Sequence, residues 1–215
     1  MLSNLALEPA LSRPDLLAKP ALEALTAFAR DRGEQATNNI EIAEINPELA
    51  DTAAFCAQYG VGLDESANCV VLKGRRAGET VYAACIVLAT TRAYVNGLAR
   101  KHLGVRRISF APMDDAVGLT GMEYGGITPV GLPGHWPILV DRAVVEAPRI
   151  VLGSGIRGSK LWIDGATLAQ LPSVEILDGL GRPVEARVSR NSQYEQDSQE
   201  SQESQESQSS DGASP

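Results

Sequence analysis

Apolar residues recur at Leu17, Leu22, Leu25 and Phe28, a spacing that predicts an amphipathic helix closed by Gly33. Pro20 suits a first helical turn, where its missing N–H leaves no hydrogen bond unmade, so the longer helix is predicted to start there. The period then changes. Ile40 and Ile42 in "NNIEIAEI" alternate as in a strand, with Ile45 as a further apolar position at its end. "PELADTAAFCAQYG" opens on proline and closes on glycine, the signature of a second helix. Two β-branched runs, "NCVVLKG" and "TVYAACIVLA", flank the polar "RRAGE" and predict a hairpin.

Further on, "YVNGLARKHLG" and "PMDDAVGLTG" read as short helices with "RRISF" as a strand between them. "WPILVD", "RIVLGSG", "KLWID" and "VEIL" are strand candidates, and "GATLAQLP" is a last short helix. Helices and strands are interleaved, but the hairpin argues against a simple alternating parallel sheet. The pattern therefore predicts an α+β domain of mixed, mainly antiparallel sheet with packed helices. Its expected span is 14–180, after an N-terminal segment 1–13. From residue 181 onward the character changes, and "SQYEQDSQESQESQESQSSDGASP" holds almost no apolar side chains. Such a segment buries too little surface to offset its ordering entropy, so 181–215 is expected to be a disordered, acidic Ser/Gln/Glu-rich tail.

The tail changes the meaning of the net charge. The chain carries −8, but six acids lie between Asn191 and Pro215, and without them 19 basic residues face 21 acidic ones. The remainder is nearly neutral, which leaves an anionic partner open. Three widely spaced cysteines, Cys56, Cys69 and Cys85, and two histidines, His102 and His135, form neither a disulfide framework nor a zinc pattern. No apolar run approaches the ~18 residues of a spanning helix, and the N-terminus lacks the basic and apolar regions of a signal peptide. The expectation is a cytoplasmic protein without membrane contact.

Candidate chemistry concentrates in "EYGGITPVGLP", Glu123 to Pro133, where Gly125, Gly126, Gly131, Pro129 and Pro133 surround one hydroxyl, Thr128. Glycine admits positive φ and close backbone approach, and proline fixes φ, so this run predicts a loop of defined shape. "GSGIRGSK", Gly153 to Lys160, lacks the register of a phosphate-binding loop and sits between two strands. It reads as a glycine-rich turn that also offers backbone N–H groups to an anion. His135 as a general base and Cys69 as a nucleophile have little support from their surroundings. Two basic clusters, Lys73, Arg75 and Arg76, then Arg100, Lys101, Arg106 and Arg107, suit either solvated surface or phosphate contacts.

In order and spacing these pieces resemble the YbaK/EbsC family, the free-standing aminoacyl-tRNA deacylases related to the editing domain of prolyl-tRNA synthetases. The resemblance runs from about Pro47 to Leu180 and rests on the glycine–proline loop, "WPILVD" and "VLGSGIRGSKLWID". It implies a trans-editing hydrolase that removes a misattached amino acid from the acceptor end of a tRNA, without metal or organic cofactor. Gly125, Gly126, Thr128 and Pro129 would form the catalytic loop, with Ile127 and Gly131 in the pocket and Gly153, Ser154 and Gly155 as the opposite wall. Arg100, Lys101, Arg106 and Arg107 become candidate tRNA contacts.

One position departs from the family pattern. Where the family carries a lysine at the start of its first core strand, this chain has Asn68 in "ANCVVL". Asparagine both donates and accepts hydrogen bonds but brings no charge. Two outcomes follow from the resemblance: a deacylase in which Asn68 serves in the lysine's place, or a non-catalytic binder of aminoacyl-tRNA or a small ligand.

Overall fold

The computed structural model describes residues 5–183. The predicted tail from 184 onward lies outside the described residues. In chain order the elements are β1 (Glu8–Pro9), α1 (Lys19–Arg32), β2 (Glu41–Glu44), α2 (Thr52–Tyr59), β3 (Ala67–Arg76), β4 (Glu79–Leu88) and β5 (Thr91–Ala93). A π-helical turn, Val95–Ala99, runs into α3 (Arg100–His102), followed by β6 (Arg107–Phe110), α4 (Met113–Thr120), β7 (Ile138–Asp141) and α5 (Arg142–Glu146). The described residues end with β8 (Ile150–Gly153), β9 (Ser159–Ile163), α6 (Gly165–Leu168), β10 (Val174–Leu177) and β11 (Gly181–Pro183).

Among the described residues the strands form three sheets. The first has the order β1-β2-β9-β8 and is antiparallel throughout. The second has the order β10-β7-β4-β3-β6, antiparallel around β3 but parallel where β7 meets β4 and β10. A two-stranded antiparallel ribbon, β11-β5, completes the fold. The architecture is α+β with a mixed, mainly antiparallel sheet, as the residue pattern predicts. A bridge from Ser66 to Val151 and a hydrogen bond from Val151 N–H to Glu65 O (2.7 Å) tie the start of β3 to β8.

Local chemistry explains where the elements begin and end. "PELADTAAFCAQYG" divides into a 3-10 turn, Pro47–Leu49, and α2, because Asp51 adopts an extended conformation and its Oδ1 accepts from Ala53 N–H. Gly60 closes α2 in the left-handed region. The hairpin is tighter than "RRAGE" suggests. Only Ala77 (φ 51°) and Gly78 (φ 89°) turn the chain, a type I′ geometry that matches strand twist, so Arg75 and Arg76 belong to β3.

Both ends of the domain reach beyond the expected span 14–180. Glu8–Pro9 pairs with β2, and Gly181–Pro183 pairs with β5. Too few residues and no alternation mark either strand, so only tertiary pairing reveals them.

Alternation along the long hairpin serves two cores. Ala67, Val71, Ala84 and Ile86 face a large cluster with Leu25, Phe28 and Trp136, whereas Leu72, Ala83, Cys85 and Val87 face a second cluster with Leu139 and Leu180. Each fully buried Leu, Ile or Phe contributes roughly 1.5–3 kcal/mol. A third cluster, built on Phe55 and Trp162, packs α2 against the outer face of the first sheet. It supports the cleft described next.

Candidate functional site

A cleft of about 400 Å³ opens where β3, α4, the 124–127 loop and the end of β8 come together. The glycines make this approach possible. A Cβ on Gly153 would stand 2.2 Å from Gly126 O and 2.7 Å from Ile127 O, and one on Gly126 would stand 2.5 Å from the Ile156 carbonyl. The two turns are then stitched together: Gly155 N–H donates to Gly126 O (2.7 Å) and Glu123 N–H donates to Gly155 O (2.8 Å). Arg157 adds a clamp, its backbone N–H donating to Glu123 Oε2 (2.7 Å) and its guanidinium to the carbonyls of Tyr124 and Pro47.

The sequence-predicted residues divide between the cleft and its supports. Asn68, Gly125, Ile127 and Gly153 line the cleft. Gly126 stands behind it, its carbonyl bonded to Gly155 and its N–H to Glu123 O (3.0 Å). The N–H groups of Tyr124, Gly125, Ile127 and Thr128 have no hydrogen-bond partner among the described residues, and of these four residues Tyr124, Gly125 and Ile127 line the cleft.

Thr128 and Ser154 are fully buried and do not line the cleft. Thr128 Oγ1 faces Val130 N–H (3.5 Å), while Ser154 Oγ and Ser159 Oγ share a hydrogen bond (2.6 Å). Their hydroxyls hold the two turns and are not offered to a ligand. Pro129 and Gly131 line a separate pocket beside α1, and Gly155 packs against Ala18. The cause is chain reversal: past Ile127 the loop turns toward α1, so its second half braces the helix and leaves the cleft to the first half.

Asn68 has a defined orientation. Thr52 Oγ1 donates to Asn68 Oδ1 (2.7 Å), which leaves the Nδ2 donors without a partner among the described residues. Lys73, five residues along β3, is bound instead to Asp115 Oδ2 (2.5 Å), which also accepts from Tyr82 Oη (2.8 Å). Donation from Lys73, then Tyr82, holds the Asp115 carboxyl below its ordinary 3.8. A depressed carboxylate stabilises the fold above its unfolded pKa and loses that effect as pH falls through the folded one. Asp115→Asn should lower the urea midpoint at pH 7, and the gap to wild type should narrow as pH falls below the ordinary 3.8. A gap independent of pH would refute the charged contact.

Among the described residues, no histidine lines the cleft. Cys69 lines it, but burial pushes its thiol well up, and burial pushes Cys85 up to about 12. His135 is exposed beside Trp136, and His102 pairs with Glu175 (2.5 Å); neither lines the cleft. Asp51 does line it, with one carboxylate oxygen committed to capping α2.

Lys160 was missed by the sequence reading. It sits on β9, is 7% exposed, lines the cleft, and donates from Nζ to Ala50 O (2.9 Å) above the Phe55 ring. Burial holds its ammonium below the ordinary lysine range. The signal available was weak: a lysine directly before three apolar residues in the five-residue strand "SKLWI".

Of the candidate tRNA contacts, Arg100 and Lys101 line one shallow groove with Arg182, and Arg100, Arg106 and Arg107 line another with Lys73 and Arg75. β6 connects the second groove to the cleft, since Arg107 begins the strand and Phe110, at its end, lines the cleft. That separation is about 10 Å at ~3.3 Å per residue.

A family model described as the aminoacyl-tRNA editing domain matches residues 46–171, which include Asn68, both turns and Lys160. The chain belongs to this family. The editing domain also shares its fold with solved structures. A proposed trans-editing enzyme for prolyl-tRNA synthetase superposes with a TM-score of 0.60 at 18% identity, over 75% of this chain and 97% of that one. The hypothetical protein APE2540 superposes with a TM-score of 0.61 at 21% identity, over 72% and 97%. Among the described residues, no helix is long and apolar enough to cross a membrane.

Proposed function

We propose that this editing domain acts in trans as a hydrolase of mischarged aminoacyl-tRNA, cleaving the ester that joins the amino acid to the terminal ribose. The observation that carries this reading is the convergence of Asn68, Gly125 and Ile127 on one cleft, with the Asn68 amide donors and the N–H groups of both loop residues unpartnered among the described residues. Donors fixed before the reaction, aimed where charge develops, need no reorganisation during it. Water is the nucleophile; with no histidine or ionisable thiol at hand, the substrate's own groups help position it. Apolar Ala67, Val71, Ala116 and Ile127 favour an uncharged aminoacyl side chain.

The cleft mouth suits a nucleotide. Phe110 and Tyr124 line it with 64% and 60% of their surfaces exposed, a pair of rings available for base stacking. Arg100, Lys101, Arg106 and Arg107 would then meet phosphates of the acceptor stem, so binding should weaken steeply with added salt.

The test is a panel of mischarged tRNAs incubated with wild type, Asn68→Ala and Asn68→Lys. Wild type should release amino acid from at least one tRNA, and Asn68→Ala should be slower by about 100-fold, the effect of losing one such donor. Release only by Asn68→Lys would mean that the domain binds its ligand without hydrolysing it, the reading favoured by the uncharged side chain at position 68.

A further inference from the structure

We propose that Lys160 is the buried positive charge of the cleft and receives the carbonyl oxygen of the scissile ester as that oxygen becomes anionic. This inference rests on the deacylase reading for its substrate and on independent geometry for its site. An ammonium has three N–H donors, and Lys160 gives one to Ala50 O, the single hydrogen bond it makes among the described residues. Taking a lysine out of water without a bonded carboxylate is unfavourable. The side chain nonetheless lies 7% exposed, over the Phe55 ring at 5.4 Å, hydrogen-bonded to a carbonyl and to no carboxylate among the described residues, with Asp51 on the same cleft as the nearby negative charge that favours its ammonium form. A fold that holds an ammonium in this state keeps two donors ready for a ligand atom that carries negative charge.

Location decides which atom. Lys160 pairs directly with Gly153 across the β8–β9 ladder, so both stand on one face of the sheet, under the carbonyls that Gly153 packs against. It therefore enters the cleft from the sheet opposite Asn68, which comes from β3. The other basic side chains near the cleft are engaged: Arg157 clamps the two turns and Lys73 pairs with Asp115. In the reaction, water adds to the carbonyl carbon while the oxygen's gained charge is held by Lys160. The carbon–oxygen bond to the ribose then breaks, and the water's proton passes to the ribose oxygen, releasing free amino acid and tRNA.

The decisive comparison uses two inert analogues of 3′-aminoacyl adenosine, one with a neutral amide and one with an anionic phosphonate in place of the ester. Wild type should bind the phosphonate about 100-fold more tightly than Lys160→Met does, the effect typical of one donor to an oxyanion. The amide should bind both proteins within threefold, and Lys160→Met should remain folded with an unchanged or raised Tm, because a buried charge has been removed. Equal phosphonate affinity in the two proteins overturns the inference, whatever the ester assays show. Phosphonate discrimination by a wild type that hydrolyses no ester would uphold the anion site and refute the deacylase reading. Hydrolysis by Lys160→Met at the wild-type rate refutes the role of Lys160 while leaving the deacylase intact.

Discussion

Gly153→Ala should lower stability by about 3 kcal/mol, the upper range for forcing an extra carbon into a packed site. At ~2–4 °C per kcal/mol for a chain of this size, Tm should fall by about 6–12 °C. The reason is contact alone. The added Cβ would lie 2.2 Å from Gly126 O and 2.7 Å from Ile127 O, both backbone atoms that a rotamer change cannot move aside. Relief requires the 124–127 loop to separate from β8, which breaks the Gly155–Gly126 and Glu123–Gly155 hydrogen bonds and reshapes the cleft wall. Activity should therefore fall with stability. Gly78→Ala is the control, since nothing stands within 4 Å of its added Cβ and its positive φ costs only local strain. A Tm for Gly153→Ala equal to wild type would show that the turns are not pressed together.

The second large effect is expected at Phe55, whose replacement by alanine should cost about 3–5 kcal/mol. Phe55 is fully buried, lies 5.2 Å from the Tyr59 ring and 6.2 Å from the Trp162 ring, and supports the Lys160 ammonium. Removing the ring leaves a void between α2 and the first sheet and takes away the face on which the ammonium rests. Urea titrations would read the stability, with Phe55→Leu giving a smaller loss. Phosphonate binding by Phe55→Leu, which keeps the cluster filled but lacks the ring, should weaken more than amide binding. A loss below about 1 kcal/mol for Phe55→Ala would mean that the cluster collapses around the gap and does not brace α2.

Periodicity made the long elements legible, because one face of each is buried against a single neighbour. α1, the β3–β4 hairpin, β7, β8 and β9 all lie where the apolar spacing places them. Short elements escaped this reasoning. α5 spans five residues between two strands, and β1, β5 and β11 are held by pairing with residues far away in the chain. The second helix was overextended because the extended conformation of Asp51 leaves no trace in hydrophobic spacing.

At the site the same division holds. The density of glycine and proline in "EYGGITPVGLP" marked a shaped loop, and close approach between that loop and the 153–156 turn is what its glycines permit. Which groups of the loop face the cleft was beyond the sequence, since alternation does not govern an irregular segment. Thr128 and Ser154 are fully buried and stay outside the cleft lining, whereas Lys160 looked like one residue of a strand and lines the cleft. Local spacing and residue identity carry the α+β class, the family resemblance and the uncharged residue at position 68, so all three were legible along the chain. Only the tertiary structure placed a lysine from β9 opposite that asparagine, because burial and charge at a cleft are set by neighbours distant in the chain.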